Sequence, residues 1–167
     1  LCGGPGAGFL WVSPQLIPRC APRDVGWFSH AEPFAFDIHD YRDHPGALRF
    51  WGGTPSVLPF VVATEGLRLI GSIGVEAVRA HNLHLSRLLI DAVPEVAVFS
   101  PLEDTERGGT VVLQFDTGQA AAVAALRAIG VRFDDRPTGM RLSPHVYNTA
   151  EEITRVVAAL ENAGARR

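Results

Sequence analysis

Hydrophobic positions along the chain change period twice, and the changes divide it into three stretches. Residues 1–54 hold no helical period. Gly, Pro, His and aromatic residues interrupt them, and Gly8-Phe-Leu-Trp-Val12 alone reads as a strand, followed by a long connection. From Val57 to Ile70 the chain is apolar on nearly every side, which predicts a buried helix. Thr54 suits its N-cap and Pro55 its first position, and Gly71 and Gly74 would break it. A more amphipathic helix follows from Val75 to about Asp91. Beyond Pro94 the alternation predicts strands over 95–99, 110–115, 131–134 and 140–143. A helix over 118–129 separates the second from the third, with Thr117 as N-cap and Gly130 as its stop. Thr149-Ala-Glu-Glu152 reads as a capping box. It opens a last helix whose Ile153, Val156, Val157 and Leu160 recur on one face. The fold class is α/β passing into α+β. One strand and a long loop cannot bury a core, so the first 54 residues are not self-sufficient.

Composition narrows the function classes. With 167 residues, 47% hydrophobic and 20% charged, the chain is globular, one domain or a little more. Its net charge is −3 and its arginines are dispersed, which argues against a nucleic-acid footprint. No apolar run has the length of a membrane-spanning helix, and the start has neither the charged nor the apolar region of a signal peptide. Cys2 and Cys20 form no disulfide framework or metal spacing, so a reduced, cytoplasmic setting is expected. The first residue is not Met, so the chain reads as a C-terminal piece of something longer. All 15 of its Lys and Arg residues are arginine.

Five segments could carry chemistry. Cys2-Gly-Gly-Pro-Gly-Ala-Gly8 lets backbone approach a ligand, or is a plain turn; it lacks the lysine and helix of a phosphate loop. Gly26-Trp-Phe-Ser-His30 supplies N–H donors suited to an anion, or simply anchors a loop by aromatic burial. His30, Asp37, His39, Asp40, Asp43 and His44 contain metal-ligand types at no metal-ligand spacing, and no metal is expected. Trp51-Gly-Gly-Thr-Pro55 places a Gly pair and a hydroxyl where a helix N-terminus could hold an anion, or where Thr54 merely caps. Arg141, on a strand ending at Pro144, offers a bidentate fork to a carboxylate, or forms a surface ion pair.

In the order Gly-Gly-Pro-Gly, Gly-Trp-Phe-Ser-His, Gly-Gly-Thr-Pro and Arg141-Leu-Ser-Pro-His-Val-Tyr-Asn148, the chain resembles the C-terminal half of class V aminotransferase-fold enzymes. These are fold-type I enzymes that use pyridoxal 5'-phosphate (PLP), and the branch it resembles most is kynureninase. The resemblance implies the C-terminal part of a PLP-transferase-like fold. Residues 1–54 would end the large cofactor-binding domain, 55–93 would form connecting helices, and 94–167 a small α+β domain. It places the lysine that holds the cofactor about two residues ahead of Leu1, so no catalytic residue is expected within the chain. Trp27 and Thr54 match residues that contact the cofactor phosphate, part of which the family supplies across a homodimer. Arg141 matches the arginine that binds the α-carboxylate of an amino-acid substrate. The implied activity is hydrolytic C–C cleavage of a β-acyl side chain. The alternatives are a class V aminotransferase or lyase with another amino-acid substrate, or a non-catalytic module that binds a partner. A cysteine desulfurase would carry a thiol in the loop before the Arg141 strand, and Phe133-Asp-Asp-Arg-Pro-Thr-Gly-Met140 has none.

Overall fold

The structure is a computed structural model that describes residues 4–94 and 97–164. Its contacts divide the chain into two units, Leu1–Leu69 and Ile70–Arg167.

The first unit contains three short 3-10 helices, Ile17–Arg19, Trp27–Ser29 and Ala47–Phe50, and most of helix α1, Val57–Ile73. The strand expected over 8–12 does not form. A strand needs a partner for its N–H and C=O groups, and no described segment pairs with this one. Phe9, Leu10 and Trp11 are instead exposed, Trp11 at 81%. Helix α1 begins at Val57, so neither Thr54 as N-cap nor Pro55 as first helical residue holds. Pro59 explains the shift. A helix starting at Pro55 would need the Pro59 N–H that does not exist, whereas a start at Val57 puts Pro59 in the first turn, where no N–H is required. The helix continues through Gly71, and Gly74, at φ 93°, is the residue that ends it. The expected burial of α1 also fails. Ala63 and Ile70 are buried, but Val57, Leu58, Val61, Val62 and Leu69 are all more than half exposed. Apolar composition marks a face to be covered, and much of this one is exposed.

Among its described residues, the first unit buries one hydrophobic side chain, Ala63, beside the polar Ser29 and Arg49. Arg49 is the organising group. It is 8% exposed, and its guanidinium donates to the carbonyls of His44 at 2.9 Å, Ile17 at 2.7 Å and Cys20 at 3.0 Å. The unit is held by polar stitching rather than by an apolar core.

The second unit is an antiparallel sheet backed by helices. Helix α2 spans Val75–Ile90, strand β1 Val111–Leu113, helix α3 Gln119–Ala128, β2 Asp134–Arg136, β3 Gly139–Leu142 and α4 Ala150–Asn162. The strand order is β1-β3-β2. In register, Arg141 faces Val112 on one side and Asp134 on the other. The strand expected over 95–99 reduces to a bridge between Val98 and Leu113; its residues 95 and 96 lie outside the described residues. Alternation decides the faces. Met140 and Leu142 are buried against Leu85, Leu89, Val111, Leu113, Leu126, Ile153 and Leu160, while Arg141 points the other way. Each such large apolar side chain contributes about 1.5–3 kcal/mol on full burial.

Helix ends account for the connections. Thr149 caps α4, accepting from the Glu152 N–H at 3.3 Å, while Glu152 Oε2 accepts the Thr149 N–H at 3.1 Å. The capping box is therefore formed as expected. Gly130, at φ 79°, stops α3. The Gly130 N–H reaches the Arg127 carbonyl and the Val131 N–H reaches that of Leu126. That second bond keeps Val131 in the helix terminus, so the strand expected over 131–134 starts only at Asp134. Thr117 does not cap α3 either. Gly118, left-handed at φ 83°, occupies the N-cap, and the Gln119 side chain accepts the Phe115 N–H at 3.0 Å.

Candidate functional site

In the first unit, the segments carrying Trp27 and Thr54 are locked together through glycine. A Cβ on Gly26 would lie 1.8 Å from the Gly52 carbonyl oxygen, so only glycine permits this approach. Ser29, fully buried, completes the lock: its Oγ accepts the Gly26 N–H at 3.0 Å and donates to the Trp51 carbonyl at 3.0 Å. The sequence therefore needs small residues on both sides of Trp27 for local reasons, whatever ligand the loop serves.

Trp27 is half exposed, and its indole N–H donates to the Pro33 carbonyl. Its ring lies 5.8 Å from Phe34 and 5.7 Å from Phe36 and borders a hollow of about 450 Å³ shared with His30, Asp40 and Tyr41. Thr54 is exposed, and its hydroxyl has no hydrogen-bond partner among the described residues. The neighbouring Gly52 and Gly53 have open space where a Cβ would stand. This free hydroxyl beside unobstructed backbone suits a phosphate oxygen. The Trp27 donor is occupied by the Pro33 carbonyl. Of the two residues, Thr54 has the donor and acceptor chemistry a phosphate oxygen needs, while the Trp27 N–H is already engaged.

His30 and His44 serve loop closure. His30 Nδ1 accepts the Glu32 N–H at 2.8 Å, which leaves the proton on Nε2, 3.1 Å from the Asp40 carbonyl that accepts it. His44 Nδ1 accepts the Gly46 N–H at 2.9 Å. Among the described residues, no three His, Cys, Asp or Glu side chains gather as metal ligands. Cys2 lies outside the described residues.

In the second unit, Arg141 projects from the outward face of β3 with its side chain 47% exposed. Its Nη1 is 3.2 Å from Asp134 Oδ2, on the residue directly opposite in β2. Its Nε and Nη2 have no described partner. Immediately downstream, Ser143-Pro-His-Val-Tyr-Asn148 forms a folded corner. Asn148 Oδ1 accepts the His145 N–H at 2.9 Å, Asn148 Nδ2 donates to Glu152 Oε2 at 3.0 Å, and His81 Nε2 lies 3.0 Å from the Asn148 carbonyl. Asn148, followed by the Thr149 backbone N–H, holds the Glu152 carboxyl below its ordinary range. The corner therefore fixes the end of the Arg141 strand to α4. Leu142, Ser143, Pro144 and Tyr147 also border a hollow of about 460 Å³ with Arg132 and Arg155.

Sequence reading missed three polar residues. Arg49 closes the first unit. In the second, Arg107 is 3% exposed and donates to the Pro101 carbonyl at 2.9 Å, the Leu102 carbonyl at 2.6 Å and Asp104 at 2.6 Å. Asp134 is the third. None has a local motif; each is defined by what the fold brings to it.

Comparisons with known proteins agree with this anatomy. The family described as "Kynureninase C-terminal domain" matches residues 78–160. A kynureninase of Bacillus mycoides is 36% identical over 96% of this chain and 40% of that protein. A kynureninase of Pseudomonas fluorescens is 31% identical, also over 96% of this chain and 40% of its own length. An uncharacterised aminotransferase of Bacillus subtilis is 29% identical over 94% of this chain and 41% of that protein. Among solved structures, an apo cysteine desulfurase from Thermococcus onnurineus NA1 superposes with a TM-score of 0.71 at 19% identity, covering 89% of this chain and 40% of that one. The likeness is one of fold, and it bears out the expectation of the C-terminal part of a PLP-transferase-like fold. The chain spans about 40% of the length of the curated relatives it matches.

Proposed function

The chain is kynureninase-like, carrying that family's C-terminal domain over residues 78–160, and on this premise we propose that it works within a PLP-dependent enzyme. That enzyme cleaves the β-acyl side chain of an amino acid hydrolytically. Water adds across the Cβ–Cγ bond, releasing an amino acid and a carboxylic acid. PLP, when bound, supplies the electron sink for this chemistry. The observation that carries the reading is Arg141, on the outward face of β3 with its Nε and Nη2 without a described partner.

Arg141 binds the α-carboxylate of the substrate, and a bidentate contact fixes the orientation of the bond to be cleaved. Thr54 and Trp27 hold the cofactor phosphate, Thr54 through its hydroxyl and Trp27 through its indole N–H. The chain has no lysine, so the covalent anchor of the cofactor and the proton-transfer groups lie elsewhere in the working enzyme. Residues 1–54 act as the end of its large domain and 94–167 as its small domain, with 55–93 connecting them. The enzyme is a cytoplasmic homodimer that needs no metal, membrane or nucleic acid. Among the described residues, no single helix is long and apolar enough to cross a membrane.

A second reading is a class V aminotransferase or lyase, and the Bacillus subtilis relative described as an uncharacterised aminotransferase favours the former. Supplying kynurenine with and without a keto acid to the protein that contains this chain separates the two. Alanine release without the acceptor is expected; turnover that requires the acceptor would establish the aminotransferase. The third reading is a non-catalytic module that binds a partner through the exposed apolar face of α1. Absence of turnover under both conditions would favour it. By itself the chain is expected to bind PLP weakly and to develop no visible band of a covalently held cofactor. A stable band would overturn the assignment of the anchoring lysine to another segment.

A further inference from the structure

Arg141 is held from one side only. In β3 its neighbour toward β1 is Val112, which offers no polar atom; its neighbour toward β2 is Asp134. Directly opposed residues in an antiparallel pair stand close enough for their side chains to meet. The contact is a single one, Nη1 to Oδ2 at 3.2 Å. The same Oδ2 accepts from Arg136 Nε at 2.7 Å, so a residue on the same face of β2 fixes the carboxylate independently. One aspartate shared between two arginines leaves the group with a net positive charge. It steers a guanidinium without neutralising it.

Resting on the reading of Arg141 as the carboxylate-binding arginine, we infer that Asp134 is its positioning residue. Asp134 grips Nη1 from across the strand pair and leaves the Nε–Nη2 edge as the fork offered to the substrate. That edge carries two parallel N–H bonds matched to a carboxylate. Without Asp134, the long arginine side chain samples more rotamers, and the bidentate geometry has to be paid for at binding. Asp134 and Arg141 are 44% and 47% exposed, so their pairing contributes little to folding.

The test is steady-state kinetics on the enzyme that contains this chain. Asp134→Ala is expected to raise KM about tenfold while kcat stays within about twofold, and Asp134→Glu to recover part of the KM change. Against a substrate whose α-carboxylate is replaced by a carboxamide, Asp134→Ala and the parent enzyme should behave alike, because the fork then has no anion to receive. A general structural defect would shift both substrates. An unchanged KM, a kcat that falls in step with the KM rise, or an equal loss with the carboxamide would overturn the inference. Asp134→Asn, which preserves volume, replaces the alanine variant if the latter does not fold. Arg141→Gln separates the two claims. If it leaves KM for the amino acid unchanged, Arg141 is not the carboxylate binder, and the reading fails at that point rather than at Asp134.

Discussion

At the scale of single residues, the first unit depends on a guanidinium that no sequence motif announces. Arg49 reaches carbonyls at His44, Ile17 and Cys20, two of them remote in sequence. Local spacing cannot encode such a contact. Trp27 and Thr54 could be singled out because they stand in short recognisable strings; Arg49 stands in none. Replacing it with Met retains the buried stem, takes the donor from the His44 and Cys20 carbonyls, and leaves the Ile17 carbonyl with the Cys20 N–H alone. Each unsatisfied buried acceptor costs about 1–3 kcal/mol, and relaxation recovers part of the total. Arg49→Met is therefore expected to destabilise the first unit by about 2–4 kcal/mol, read as a lower urea midpoint in tryptophan fluorescence. Arg49→Lys should not rescue it, because a point-like ammonium cannot reproduce the fork. An unaltered midpoint would refute the role. Gly26 is different: its pairing with Gly52 depends on space alone, and the sequence shows the glycines without showing that they meet.

At the scale of elements, what was legible in the sequence was local and what was not was pairwise. The capping box of α4 and the glycine stop of α3 depend on residues within one or two turns, and both form as read. The strand over 8–12 needed a partner, and alternation says nothing of whether one is present. Helix α1 had its start moved by Pro59, a residue easily passed over inside an apolar run. The α4 cap also makes a pH prediction. Hydrogen bonds from the Asn148 side chain and then the Thr149 backbone keep the folded-state carboxyl of Glu152 below the 4.5 of an ordinary glutamate. A depressed folded-state pKa stabilises above the unfolded value and loses that contribution as pH falls through the folded one. The Tm of the second unit should therefore fall as pH drops below about 4.5, and Glu152→Gln should flatten part of that slope. Asp104, lowered first by its hydrogen bond to Arg87, acts with the same sign, so the slope is reduced and not abolished. A slope that Glu152→Gln leaves unchanged would show that the cap does not carry it.

At the scale of the whole molecule, apolar burial is unequal. The second unit has a continuous core from α2 to α4, whereas the first leaves Phe9, Trp11, Leu58 and Val61 largely open. Hydrophobic periodicity identified α1 as a helix with an apolar surface. It could not say where the covering atoms come from, and the expectation of burial failed there. Exposed apolar patches of this kind mark surfaces made to be covered. The chain alone is expected to bind a hydrophobic dye and to associate with rising concentration in sedimentation velocity. The double substitution Leu58→Glu and Val61→Glu should reduce both. Dye binding that is absent from the start would mean that α1 is covered in solution after all.

The two buried loop anchors, Arg49 and Arg107, are guanidinium groups in a chain without lysine. A guanidinium is a planar hydrogen-bonding fork, not the amine nucleophile that a lysine side chain can provide. An aldehyde therefore finds no lysine amine to condense with in either unit. Within each unit the pinned loop is held by a group that an aldehyde leaves unmodified, as it would not leave an amine.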